Sequence, residues 1–222
     1  MISYDHKQLK VSMCNGAPQT EISVIIHDAN RGDMERHIHL LTPPWLEDGL
    51  KAVLEIRCLS NGKCAHLPID PTDDGFVDQA ISQAVDLNLD GWNIYVCVNP
   101  ISSAHVGMAN DAAIVSAYFA FADADDDSGA KQLLSAAPKP DFLVETGRTP
   151  TQRVHAYWRV DGIPNLEDWK QLQKNLIHKF GTDPQIINPS RIMRLAGTIS
   201  WPPEQKRKHG HVPELTKLTE VL

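Results

Sequence analysis

Apolar positions along the chain recur with two periods, and the change from one to the other marks out the elements. Short apolar runs at 22–26 and 38–41 read as strands, and Pro43-Pro44 opens a helix over 45–51. Residues 53–58 and 92–98 read as buried strands, the second stopped by Asn99-Pro100. Between them Phe76, Ala80, Ile81, Ala84 and Val85 fall at helical spacing and predict a helix over 75–86. In the second half, 118–125, 141–146 and 153–160 read as three strands. Asn165 caps a helix whose apolar stripe is Trp169, Leu172, Leu176, Ile177 and Phe180. Asp168 completes a capping-box-like start, and Gly181 ends the helix. Neighbouring strands with helices between them indicate an α/β or α+β fold.

Composition narrows the class. The chain has 222 residues, 42% hydrophobic and 22% charged, enough for a sizeable core in one large domain or two small ones. No apolar run approaches the roughly 20 residues that cross a bilayer, and residues 1–16 lack the apolar core of a signal peptide. A cytoplasmic protein is expected, with Cys14, Cys58, Cys64 and Cys97 as reduced thiols. None of them forms a Cys-x-x-Cys pair. A zinc site at Cys58, Cys64 and His66 has irregular spacing, so zinc is not expected. The net charge of −7 argues against a surface that grips nucleic acid everywhere. Charge is uneven, however: residues 181–222 hold 6 Lys and Arg against 4 Asp and Glu, leaving 15 against 24 for the rest. Such a basic end suits a polyanion if metal ions mask part of the acid.

Candidate chemistry concentrates in the second half. Asp123 and Asp125 are two apart at the end of a strand, so both carboxylates point to one face. Two hard oxygen ligands there suit Mg²⁺ that keeps waters and substrate phosphates as further ligands. A calcium loop starting at Asp123, Asp125 and Asp127 fails, because Ser128 stands at the glycine position and Leu134 at that of the bidentate glutamate. In 153–160 the positions Val154, Ala156, Trp158 and Val160 are apolar, whereas Arg153, His155, Tyr157 and Arg159 alternate with them. One face then packs on helices, and the other presents His155 with arginines, an arrangement suited to phosphate contact or proton transfer. Arg191 and Arg194 can fork onto phosphate oxygens, Asp183 supplies a third carboxylate, and Lys206, Arg207 and Lys208 follow.

The order of these motifs is an apolar strand ending Asp123-x-Asp125, then a strand with His155-x-Tyr-Trp, then Asp183, then Arg191-x-x-Arg194-Leu-x-Gly-Thr198. This order resembles the catalytic domain of the archaeo-eukaryotic primase superfamily, closest to the RepB-type plasmid and phage primases and to primase-polymerase domains. The resemblance covers residues 50–205, including the stretch 93–100. It implies an N-terminal α/β unit over 1–115 joined to a unit over 116–205 that resembles the RNA-recognition fold. The active site would lie in the cleft between them. Residues 206–222 would form a basic segment and a tail or linker to a further helical or helicase domain. The resemblance assigns Asp123, Asp125 and Asp183 to two divalent ions, Mg²⁺ or Mn²⁺. It assigns His155 to the phosphates of the incoming nucleotide, and Arg191 and Arg194 to nucleotide or template phosphates. Arg153, Lys206, Arg207 and Lys208 are candidate template contacts. The implied activity is a nucleotidyltransferase that builds short primers from NTPs or dNTPs on single-stranded DNA.

Two rival readings remain open in the sequence. His37-Ile-His39 is the metal-binding pair of an HUH-type replication-initiator endonuclease, which also needs a catalytic tyrosine on a helix. Here Tyr95, Tyr118 and Tyr157 fall on predicted strands, leaving only Tyr4. A non-catalytic nucleic-acid or nucleotide-binding module would explain the arginines but leave the Asp123, Asp125, His155 and Asp183 set without a role. A phosphate-binding loop is missing: Asn61-Gly-Lys-Cys64 lacks the preceding glycine and the following Ser or Thr.

Overall fold

The computed structural model describes residues 28–221, together with the backbone of an antiparallel hairpin between β1 (Gln8–Ser12) and β2 (Glu21–Ile25). Tyr4, Cys14, Ile26 and most of the 1–16 stretch lie outside the described residues. In chain order there follow α1 (Arg31–Leu41), α2 (Pro43–Glu47), β3 (Ala52–Ser60), β4 (Lys63–Ile69), α3 (Asp74–Leu89), β5 (Asn93–Cys97) and β6 (Ile101–Ser102). Then come β7 (Ala117–Ala124), α4 (Asp127–Leu134), β8 (Phe142–Gly147), β9 (Arg153–Ile163) and α5 (Leu166–Phe180). The chain closes with β10 (Ile192–Arg194), β11 (Ile199–Ser200), α6 (Glu204–Lys208), β12 (Glu214–Leu215) and β13 (Lys217–Glu220).

Two antiparallel sheets share one apolar core. The first has the order β10-β5-β3-β4, with β6 also on β3; the second has the order β13-β8-β9-β7. Alternation sorts the second sheet's side chains. Phe119, Phe121, Phe142 and Tyr157 join Ile56, Ile94 and Val96 of the first sheet in one buried cluster. Ala122, Ala124, Val154, Ala156 and Trp158 point the other way and pack on α4 and α5 through Ala130, Leu133 and Phe180. The faces predicted for 153–160 are therefore the observed ones over most of the strand, with Arg159 exposed at its far end.

Strand β7 is an edge, and an open edge leaves backbone groups to be satisfied. Side chains do this. Asn99 Oδ1 accepts from the amides of Tyr118 (2.9 Å) and Phe119 (3.2 Å). Trp169 Nε1 donates to the Phe119 carbonyl at 2.8 Å. Gln173, fully buried on α5, accepts from the Phe121 amide and donates to the Phe121 carbonyl. At the end of the strand the Asp183 amide donates to the Asp123 carbonyl at 3.2 Å.

Several expectations are corrected. Residues 38–41 are the last turn of α1, not a strand. Asn30 caps this helix by accepting from the Asp33 amide, and Met34, His37, Ile38 and Leu41 form its buried face at helical spacing. His37 is buried and His39 exposed, so the pair required by the endonuclease reading does not form. The helix opened by Pro43-Pro44 stops at Glu47. Segment 206–222 is no loose tail within its described part: it supplies most of α6, then β12, and β13 pairs with β8. Strand β10, from the second half of the sequence, pairs with β5 in the first sheet.

Candidate active site

Where the apolar face between the sheets runs out, it turns polar. On β7 the series Phe119, Phe121 continues to Asp123; on β9 Tyr157 is followed toward the same end by His155 and Arg153. Asp123 and His155 are register partners, and His155 Nε2 stands 3.5 Å from Asp123 Oδ1. These residues and Asp125 face Asn93 and Tyr95 of β5 and Arg194 of β10 across a cleft of about 290 Å³. Trp201, Pro202 and Pro203 form its outer wall, with Lys206 at the mouth.

The first sheet holds Arg194 in place. Its Nη1 donates to Asn93 Oδ1 at 2.6 Å, and its guanidinium carbon lies 4.3 Å from the centre of the Tyr95 ring, its cross-strand partner. Asn93 also accepts from the Trp201 amide and donates to the Trp201 carbonyl, each at 2.8 Å. The rest of the Arg-Leu-x-Gly-Thr motif is structural. Leu195 and Ala196 enter the core, and Thr198 Oγ1 donates to the Leu195 carbonyl at 2.7 Å. Gly197 has φ +77°, and a Cβ there would lie 2.1 Å from the Asn30 carbonyl oxygen.

Electrostatics single out Asp123. Its carboxyl is pushed up to about 7, first by burial, then by repulsion from Asp125 and Asp183, against the pull of Lys206 and Arg191. Asp123 Oδ1 is buried without a hydrogen-bond partner. Three carboxylates within electrostatic reach, one of them half-buried with an oxygen that has no hydrogen-bond partner, form a hard-oxygen site that favours a cation. Among the described residues no three His, Cys, Asp or Glu side chains converge closely enough to enclose an ion alone. The donor set fits a cation that takes one or two carboxylates and fills its remaining positions from water and phosphate. His155 is lowered to about 3, chiefly by burial and then by the positive charge of Arg194, so the imidazole is neutral.

The sequence-predicted residues do not all gather. Asp123, Asp125, Arg153, His155, Arg194 and Lys206 line the cleft. Asp183 and Arg191 stand beside it, 3.9 Å apart at Oδ2 and Nη2, and the backbone bond to Asp123 holds Asp183 there. Lys206 Nζ lies 4.0 Å from Asp125 Oδ2. Arg207 and Lys208 are exposed on α6, and Lys208 pairs with Glu204. Within the cleft wall Arg153 is largely buried, bonded to the carbonyls of Thr149 (2.7 Å) and Thr151 (3.0 Å) and paired with Glu214 at 2.8 Å. All these partners are protein groups, and they fix the guanidinium in place in the cleft wall. Cys58 and Ala65 are register partners with Cys58 in the core, which puts exposed Cys64 and His66 on the opposite face of the hairpin. Sequence reasoning missed Tyr95, Trp201 and the positioning role of Asn93; a polar or aromatic residue interrupting the first sheet's apolar face was the available signal.

The chain has the fold of the archaeo-eukaryotic primase catalytic domain. The primase-polymerase domain of cyanophage S-2L is similar in structure, with a TM-score of 0.62 and 24% identity over 87% of this chain and 91% of that one. The primase RepB′ gives a TM-score of 0.61 at 16% identity over 86% of this chain, which spans 56% of the RepB′ chain. The RepB′ catalytic domain in complex with initiator DNA gives 0.59 at 14% identity, covering 86% and 84% of the two chains. No protein-family profile and no curated protein sequence matches the chain. Among the described residues no helix is long and apolar enough to cross a membrane.

Proposed function

We propose that the chain is a primase-type nucleotidyltransferase that joins nucleoside triphosphates into a short primer along single-stranded DNA. The observation that carries this reading is the unsatisfied carboxylate of Asp123, set against neutral His155 in a cleft walled on the other side by Arg194. Asp123 and Asp125 would hold Mg²⁺ or Mn²⁺, and Asp183 adds negative charge from the flank. Such ions lower the pKa of a primer hydroxyl and neutralise phosphate charge.

The protein's own groups do the positioning. Neutral His155 can donate one N–H to a phosphate oxygen without adding a charge that would compete with the ions. Arg194, fixed by Asn93 and Tyr95, presents its remaining donors to the triphosphate with little loss of side-chain freedom. In the reaction a primer 3′-oxygen forms a bond to the α-phosphorus, and the bond from that phosphorus to the α–β bridging oxygen breaks. Pyrophosphate leaves, and the hydroxyl proton passes to solvent. No side-chain nucleophile is needed.

DNA as the template is supported by the RepB′ catalytic domain bound to initiator DNA, and a phage setting by the cyanophage neighbour. A further helical or helicase domain accords with the greater length of the RepB′ chain. The test is incubation with single-stranded DNA, Mn²⁺ and labelled NTPs or dNTPs, beside the Asp123→Ala/Asp125→Ala variant. Metal-dependent short products absent from the variant are expected, and the accepted label identifies the sugar. Tight nucleotide binding without product, unchanged in the variant, would mean a binding module instead.

A further inference from the structure

A second groove, of about 650 Å³, opens on the far side of the wall formed by Asn93, Tyr95, Trp201, Pro202 and Pro203, which also lines the candidate active site. Its outer side is the turn between β3 and β4, with Lys63, and its rim on α6 carries Arg207. Both cations are exposed, and among the described residues neither has an ion-pair partner. The acid in the lining, Glu204, is neutralised by Lys208 at 2.9 Å. A chain of net charge −7 therefore presents two unpaired cations, Lys63 and Arg207, along this groove.

The groove also has a rigid aromatic wall. Trp201 donates its indole N–H to the Asn88 carbonyl at 2.7 Å and its backbone N–H to Asn93 at 2.8 Å. An aromatic group fixed in this way offers a surface to a base at little entropic cost, and unpaired cations beside it track a phosphate backbone. A free triphosphate would find none of the cleft's carboxylates here.

We infer that this groove carries the single strand of DNA that leads into the active site, with Lys63 and Arg207 on its phosphates and Trp201 against a base. The inference rests on the primase reading and names the path of its template. Because the groove and the cleft share this wall, a strand lying in the groove runs alongside the candidate active site and enters it past the edge of the wall.

The experiment is fluorescence anisotropy of a labelled oligo-dT on the full chain, titrated at several salt concentrations. Wild type is compared with the Lys63→Ala/Arg207→Ala double variant and with Lys174→Ala, which removes an exposed cation from α5. Matched melting curves check that the variants fold. The double variant is expected to bind about 10-fold more weakly at low salt, with a log–log salt slope shallower by about 1.4, near 0.7 for each phosphate no longer neutralised. Lys174→Ala should match wild type. Wild-type affinity and slope in the double variant, an equal loss in Lys174→Ala, or no oligo-dT binding by wild type would each overturn the groove assignment. Groove-dependent binding with no primer product would instead sink the primase reading and leave the groove assigned.

Discussion

The Asp183 amide donates to the Asp123 carbonyl across 3.2 Å, so the third carboxylate of the site is placed by edge pairing rather than by its own side chain. The same edge is held further along by Gln173, which meets both backbone groups of Phe121. Replacing Gln173 with Leu leaves those two groups buried and unpaired, at roughly 1–3 kcal/mol each. We expect Gln173→Leu to lower stability in urea by about 2–4 kcal/mol and to speed hydrogen exchange at the Phe121 amide. Unchanged exchange there would contradict the edge account.

Gly197 is required by contact as well as by conformation. Gly197→Ala would push a Cβ to 2.1 Å from the Asn30 carbonyl at the start of α1, in a left-handed backbone. A loss of at least about 2 kcal/mol is expected by chemical denaturation, as for other strained or overpacked sites. A melting curve like that of wild type would show that the segment relaxes freely.

Arg153 separates a structural arginine from a template contact. Removing the guanidinium breaks its pair with half-buried Glu214 and its bonds to the Thr149 and Thr151 carbonyls, while Glu214 keeps the Arg148 and Thr149 amides, so a loss of about 1–3 kcal/mol is expected. Arg153→Ala should therefore melt early, whereas oligo-dT affinity measured below the melting transition should stay within about 2-fold of wild type. Weak DNA binding by a well-folded Arg153→Ala protein would make Arg153 a template contact.

His37 sits in the core between Phe142 and Tyr157, its Nδ1 accepting from the Ala196 amide at 3.1 Å. Burial lowers its pKa from 6.5 to about 3. Below pH 6.5 the unfolded chain binds a proton that the folded chain refuses, so stability falls as pH drops from 6.5 toward 3. The slope from one such group is at most about 1.4 kcal/mol per pH unit. Urea titrations at pH 7, 5.5 and 4.5 should show this fall, and His37→Gln should make it shallower by that amount. An identical pH dependence in the variant would place the proton elsewhere.

Much of the site is legible in the sequence because functional residues interrupt an apolar alternation on one face. Asp123 follows Phe119 and Phe121, and His155 precedes Tyr157, so two period-2 strands and two polar exceptions define the pair. Helix α5 is equally plain, with Asn165 at its start and Gly181 at its end. What the sequence pattern misses is decided by tertiary structure. The run at 38–41 looks like a strand because a buried neutral histidine is needed to complete the apolar face of α1. Arg153 looks outward-facing because its partner, Glu214, lies 61 residues downstream. Strands β10 and β13, of 3 and 4 residues, carry no pattern of their own and exist because β5 and β8 offer edges to pair with. Asn61 and Gly62, tested in the sequence as part of a phosphate loop, are both at positive φ and form the tight turn of a hairpin.

The central claim is that Asp123 and Asp125 hold a divalent ion beneath the phosphates of a nucleotide that His155 and Arg194 orient. Its most direct measurement is the electron paramagnetic resonance signal of free Mn²⁺, titrated with protein in the presence and absence of a nucleoside triphosphate. Wild type and folded Asp123→Asn would be compared. The account predicts that wild type removes the free-ion signal, more strongly with nucleotide present, and that Asp123→Asn binds the ion at least about 10-fold more weakly. Equal Mn²⁺ binding by the two proteins, or binding indifferent to nucleotide, would contradict it.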